Sequence, residues 1–104
     1  MKYIKTREEL EQLVAANDKI IIDFFATWCG PCKMLGPVLE QLAEQRKDVL
    51  VVKVDTDEAL ELASLFNISS IPTVYYVKDK KTVFAELGFR PLDHLLNNVS
   101  KYLD

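Results

Sequence analysis

Cys29 and Cys32 are the only cysteines in the chain, and two residues separate them. The thiolate, not the thiol, is the nucleophile that opens a disulfide. At a helix start, this spacing sets the second sulfur one turn from the first. One thiolate would form a mixed disulfide with a partner and the other would resolve it, so the pair reads as a reversible dithiol–disulfide couple. The rival use is half of a zinc site. Zinc usually takes four ligands, often as two such pairs, and here one pair is accompanied only by His94, far along the chain.

The flanking residues supply the helix start. The apolar run Ile20-Ile21-Ile22-Asp23-Phe24-Phe25 reads as a strand, and Trp28-Cys29-Gly30-Pro31-Cys32-Lys33 as a loop opening into a helix near Pro31. Unpaired N–H groups and the helix dipole favour negative charge there, so Cys29 is expected to ionise more readily than a free cysteine. Leu35, Val38, Leu39, Leu42 and Ala43 keep a helical period past Gly36-Pro37, so a kink is expected rather than an end.

Further elements follow in order. Tyr3-Ile4 is a short strand, and Thr6 with Glu9 forms a capping box for a helix carrying Leu10, Leu13 and Val14, with Asn17 as its stop. The strand at 19–25 is apolar on both faces, as in a sheet covered by helices. Val49 to Asp55 is another buried strand, reached by a right-handed parallel crossover. A short helix is expected over 57–66, with Leu60, Ala63 and Leu65 or Phe66 inward. Thr73–Val77 and Thr82–Leu87 form a hairpin. The last helix starts near Pro91, with Leu92, Leu95, Leu96, Val99 and Leu103 as its buried stripe. The sum is an α/β fold, a mixed sheet of about five strands between four helices in β-α-β-α-β-α-β-β-α order.

A chain of 104 residues leaves room for one domain, spanning 1–104. Its balance of 49% hydrophobic and 28% charged residues is that of a globular protein. A net charge of −3 gives no reason to expect nucleic acid or an anionic membrane as partner. The first residues lack a signal peptide's apolar core, and no apolar run is long enough to span a bilayer. A reducing, cytoplasmic setting is therefore expected, where a lone cysteine pair is redox-catalytic or metal-binding rather than structural.

The segment Asp23 to Met34 resembles the active-site segment of the thioredoxin family. Gly36-Pro37-Val38-Leu39 is similar to that family's kinked helix, Val52-Lys53-Val54-Asp55 to its third strand, and Ile68-Ser69-Ser70-Ile71-Pro72-Thr73 to its cis-proline loop. Gly88 falls where the family has a glycine facing the cysteines. There are departures. Phe25 stands where the family often has tryptophan, Asp79-Lys80-Lys81 lacks the usual turn glycine, and Phe89 replaces a smaller residue.

The resemblance implies a thioredoxin fold and a protein-disulfide reductase active in cell redox homeostasis. It implies that Cys29 is the more exposed, attacking thiol, that Cys32 is the resolving one, and that they form a Cys29–Cys32 redox disulfide. Asp23, a carboxylate in an apolar strand, is either an acid at a sheet edge or a buried one with a raised pKa. The resemblance favours the second, as an acid/base exchanging protons with Cys32. Lys53 is either an ordinary solvated lysine or its partner. Pro72 is implied to be cis, with the Ile71 backbone pairing with an extended substrate segment. Trp28, Gly30, Pro31, Ile71, Gly88 and Phe89 would form an apolar collar for docking proteins. Core packing is the other reading of Trp28, and a β-bulge or strand end that of Gly88. His94 and the cluster Lys78-Asp79-Lys80-Lys81 read as solvated.

The partners implied are an NADPH-dependent flavoprotein thioredoxin reductase and disulfide-containing clients such as peroxiredoxins and ribonucleotide reductase, met by a monomer. No bound cofactor or metal is expected, because the sulfurs themselves hold the electrons. Competing expectations are an oxidase or isomerase on the same fold, a binding module with idle cysteines, and a metal-binding dimer. Gly30-Pro31 argues against the first, since relatives of that kind usually carry histidine there.

Overall fold

The computed structural model describes all 104 residues. Five strands form one sheet in the order β1-β3-β2-β4-β5: β1 (Lys2–Ile4), β2 (Lys19–Phe25), β3 (Leu50–Asp55), β4 (Thr73–Lys78) and β5 (Lys81–Leu87). The first three run parallel, β4 adds antiparallel to β2, and β5 adds antiparallel to β4. The helices are α1 (Arg7–Ala16), α2 (Gly30–Gln45), α3 (Leu60–Leu65) and α4 (Leu92–Asn98), the last running into a wider π-helical turn, Val99–Leu103. No helix is long and apolar enough to cross a membrane.

Side chains alternate across β2, and both faces are covered. Ile21 enters one core with Leu35, Leu39 and Leu42 of α2 and Leu95, Val99 and Leu103 of the last helix. Ile20, Ile22 and Phe24 enter the other with Leu10, Val52, Val54 and Leu62. Burying each such isoleucine contributes about 1.5–3 kcal/mol. The chain's centre is therefore anchored on both sides. The same alternation puts Asp23 on the Ile21 side, beneath α2, and Lys53 likewise on the Val51 side of β3.

Thr6 caps α1 as its sequence suggests. Its hydroxyl accepts from the Glu9 N–H at 3.1 Å, and the Glu9 carboxylate accepts from the Thr6 N–H at 3.0 Å. The helix α2 continues through Pro37 to Gln45.

Three local expectations need correction. First, α3 begins at Leu60 because 56–58 is a turn, fastened by the Asp57 N–H to Asp55 Oδ1 at 2.9 Å. The later start rotates its face, so Leu62 is fully buried while Leu60 and Leu65 are 70% and 49% exposed. Second, the hairpin closes on Asp79-Lys80 alone, with φ of 48° and 71°, the two positive values of a type I′ turn made without glycine. Third, the last helix buries Asn98 alongside its apolar stripe, and only Leu95, Val99 and Leu103 of that stripe are fully covered.

Candidate active site

Strand β2 ends at Phe25, and the loop Ala26-Thr27-Trp28 delivers Cys29 to the N-cap of α2. The Cys29 N–H donates to the Ala26 carbonyl at 3.3 Å, and its own carbonyl accepts from Lys33 at 3.1 Å, which fixes the residue from both sides. Pro31 lies in the first turn, where its missing N–H leaves no bond unmade. Cys29 and Cys32 are joined in a disulfide with Cα atoms 5.2 Å apart. The Cys32 N–H points at Cys29 Sγ at 3.3 Å, so the backbone offers a donor where a thiolate would carry its charge.

Both sulfurs are largely covered. Cys29 is only 5% exposed and Cys32 3%, because Ala26, Phe25 and Ile71 pack around them. Cys29 is slightly the more open of the two. Its Sγ lies 3.9 Å from the Ile71 carbonyl oxygen. The Ile71–Pro72 peptide bond is cis, and the Pro72 carbonyl accepts from the Gly88 N–H at 2.8 Å. Gly88 has a φ of +86°, a conformation that L side chains rarely adopt, just past the end of β5.

Around Cys29, Gly30 and Pro31 are exposed and Ile71 half-buried. Trp28 is 69% exposed rather than packed in the core, and its indole Nε1–H donates to Asp57 Oδ2 at 2.9 Å. Phe89 departs from the collar expected for it and rests half-buried against the core that contains Leu39 and Leu95. Sequence reasoning missed Met34, which is 60% exposed. It shares the α2 face of Pro31 three residues earlier, and its being out of phase with Leu35 and Leu39 was the available signal.

Beneath the sulfurs, Asp23 is wholly buried and Lys53 is 5% exposed. They sit directly opposite one another on β2 and β3, with Lys53 Nζ 3.1 Å from Asp23 Oδ2. That is ion-pair distance, but the angles are not those of a hydrogen bond, and neither carboxylate oxygen has a donor. Burial pushes the Asp23 carboxyl above the usual carboxylate range, and the Lys53 charge only partly offsets it. A cleft of about 250 Å³ runs in from the surface past Lys33 and Gly36 and reaches both Cys32 and Lys53. A larger hollow of about 470 Å³, between the end of α1 and the hairpin tip, is lined by neither cysteine.

His94 is not simply solvated. Its Nε2 lies 2.9 Å from Glu86 Oε2, and Asn98 Nδ2 donates to Glu86 Oε1 at 3.1 Å and to the Tyr76 hydroxyl at 3.2 Å. Burial pushes the Tyr76 hydroxyl up to about 12. Lys53 is a partner of Asp23 rather than a solvated lysine, whereas Asp79, Lys80 and Lys81 are exposed at the hairpin tip as expected. No group of three or more His, Cys, Asp or Glu side chains is arranged to hold a metal ion.

Comparison with known proteins points the same way. The thioredoxin family profile matches residues 2–101. The chain is similar to a thioredoxin of Mycoplasmoides gallisepticum, with 47% identity over 95 residues, 91% of this chain and 95% of that one. Among solved structures, a mutant thioredoxin from Halobacterium salinarum NRC-1 superimposes with a TM-score of 0.93 at 38% identity, covering 99% of this chain and 90% of the other. A chain solved in work on thiol resolution in yeast mitochondrial 1-Cys peroxiredoxin via glutathione/thioredoxin systems superimposes with a TM-score of 0.90. Its identity is 34%, covering 97% of this chain and 94% of that one.

Proposed function

The chain belongs to the thioredoxin family and is a protein-disulfide oxidoreductase with Cys29–Cys32 as its redox-active centre, and on that premise we propose a role for each site residue. In the reduced protein the Cys29 thiolate attacks one sulfur of a client disulfide. A mixed disulfide forms, and the other client sulfur leaves as a thiolate that takes a proton from water. Cys32 then attacks Cys29 Sγ, its own proton passing through the cleft to the Asp23 carboxylate. The Cys29–Cys32 bond forms, the mixed bond breaks, and the second client thiolate leaves. The client gains two electrons and the chain ends as a disulfide. Lys53 holds Asp23, Gly30 and Pro31 shape the first turn of α2, and cis-Pro72 keeps the Ile71 carbonyl beside Cys29 Sγ. Trp28, Ile71 and Gly88 receive the client, with the Ile71 carbonyl available to an extended segment.

The observation that carries this reading is Cys29 at the N-cap of α2, with the Cys32 N–H on its sulfur and the Ile71 carbonyl beside it. Family membership implies disulfide clients and a recycling reductase. We assign the latter to an NADPH-dependent flavoprotein and the former to proteins such as peroxiredoxins and ribonucleotide reductase, met in the cytoplasm by a monomeric single domain. The peroxiredoxin setting of one structural neighbour supports that client class. Insulin-disulfide reduction coupled to NADPH consumption tests the activity, and Cys32→Ser should trap clients on Cys29. A strongly oxidising reduction potential, or adducts that persist when Cys29 is replaced, would refute it.

A further inference from the structure

Asp23 and Lys53 are the only acidic or basic side chains in the buried class. Since neither Asp23 oxygen receives a hydrogen bond, what favours its anion depends on where Lys53 Nζ sits. A lysine stem is flexible, so something must fix its head. Nζ lies 4.5 Å from the centroid of the Phe25 ring and 5.9 Å from that of Tyr3. The two rings meet edge-on, with centroids 5.9 Å apart and planes at 79°. Phe25 is two residues beyond Asp23, and therefore on the same face of β2. Tyr3 pairs with Lys53 in the β1–β3 register. Toward α2 the nearest approach is at Gly36, where an added Cβ would lie 3.8 Å from Nζ, an ordinary van der Waals contact.

We propose that Phe25 is a positioning residue for the thiol–disulfide reaction: the face of its ring, braced by Tyr3, holds Lys53 Nζ against Asp23. An aromatic face attracts a cation within about 6 Å, and more strongly where water is excluded. The inference rests on Asp23 serving as the proton carrier for Cys32. Cys32 and Lys33 face the pair from α2 across the cleft, and Asp55 ends β3 beside Phe25. Lys5 and Glu58, on the far side of Tyr3 and Phe25, satisfy one another at 2.8 Å.

The test follows the Asp23 carboxyl by NMR in oxidised protein labelled with carbon-13 aspartate. Phe25→Leu keeps apolar bulk and removes the ring face, so its titration midpoint should rise by about 0.5–1 pH unit, a three- to tenfold weaker acid. Phe25→Trp should restore the original midpoint. Tyr3→Leu, at an exposed position, should give a smaller rise and carries the test if Phe25→Leu does not fold. In a Lys53→Gln background Phe25→Leu should move the midpoint no further. An unmoved midpoint, or an equal rise in both backgrounds, overturns the proposal. Stopped-flow resolution of a mixed disulfide separates the two readings. A pH profile that shifts with the NMR midpoint supports both, whereas an NMR shift with an unchanged profile removes Asp23 from proton transfer and with it Phe25's part in the reaction, leaving only its contact with Lys53.

Discussion

Replacing Asp23 by asparagine keeps its shape and removes its charge. The carboxyl is wholly buried, receives no hydrogen bond, and titrates above an ordinary aspartate. Below about pH 3.9 it is protonated in folded and unfolded chains alike and costs the fold nothing. Between the unfolded and folded midpoints the folded chain keeps a proton that the unfolded chain has released, so native stability falls as pH rises. Above the folded midpoint the penalty is complete and flat. Asparagine carries no such penalty. The stability of Asp23→Asn relative to the native chain should thus climb from acid toward neutral pH, at up to about 1.4 kcal/mol per pH unit, then level off at the folded midpoint. The opposing effect is Lys53 losing its counter-ion, which for a sealed pair costs about 3–5 kcal/mol. That attraction exists only once the carboxyl is ionised, so it is already contained in the folded midpoint and reduces the height of the climb without reversing its sign. Urea denaturation of oxidised protein at a series of pH values measures the difference directly. A difference that is flat with pH, or that falls as pH rises, would refute the reasoning, since it would mean that Lys53's attraction matches or outweighs the loss of water.

Asn98→Ala should destabilise the chain by about 1–3 kcal/mol in the same urea assay, because the Tyr76 hydroxyl and Glu86 lose their shared donor. Lys80→Gly should stabilise it by roughly 0.5–1 kcal/mol, read as a higher melting temperature, because glycine adopts the 71° φ of that position without a Cβ penalty. Trp28→Ala, at a largely exposed site, should change stability by less than about 1 kcal/mol. It should nonetheless lower kcat/KM for insulin reduction by roughly three- to tenfold, as expected if the indole is a docking anchor.

The reactive segment was legible because its signals are local. The helix start at Cys29 and Pro31, the capping box at Thr6 and Glu9, and the two-sided apolar strand all lie within a few residues of what they specify. The cis bond at Pro72 was legible only through the resemblance to the thioredoxin family, since no local signal distinguishes it from an ordinary loop proline. What escaped depends on partners distant in sequence or on phase. His94 was read as solvated because Glu86 reaches it only once β5 lies beside α4. Asn98 reads as polar surface until Tyr76 is placed beneath it. Lys53 was ambiguous from sequence because an alternating strand does not announce which face a helix will cover. In α3 the face was misjudged because a side-chain bond from Asp55 delays the start of the helix, and a delay of three residues turns Leu60 outward and Leu62 inward.

The placement of β2 between β3 and β4 reaches beyond packing. Amide hydrogens of Ile20 to Phe24 should exchange with solvent about as slowly as global unfolding permits, while those of β1 and β5 exchange through cheaper, local openings. The sulfur couple is mounted at the end of the strand that lets go last. A molecule whose margins are fraying can therefore still pass electrons.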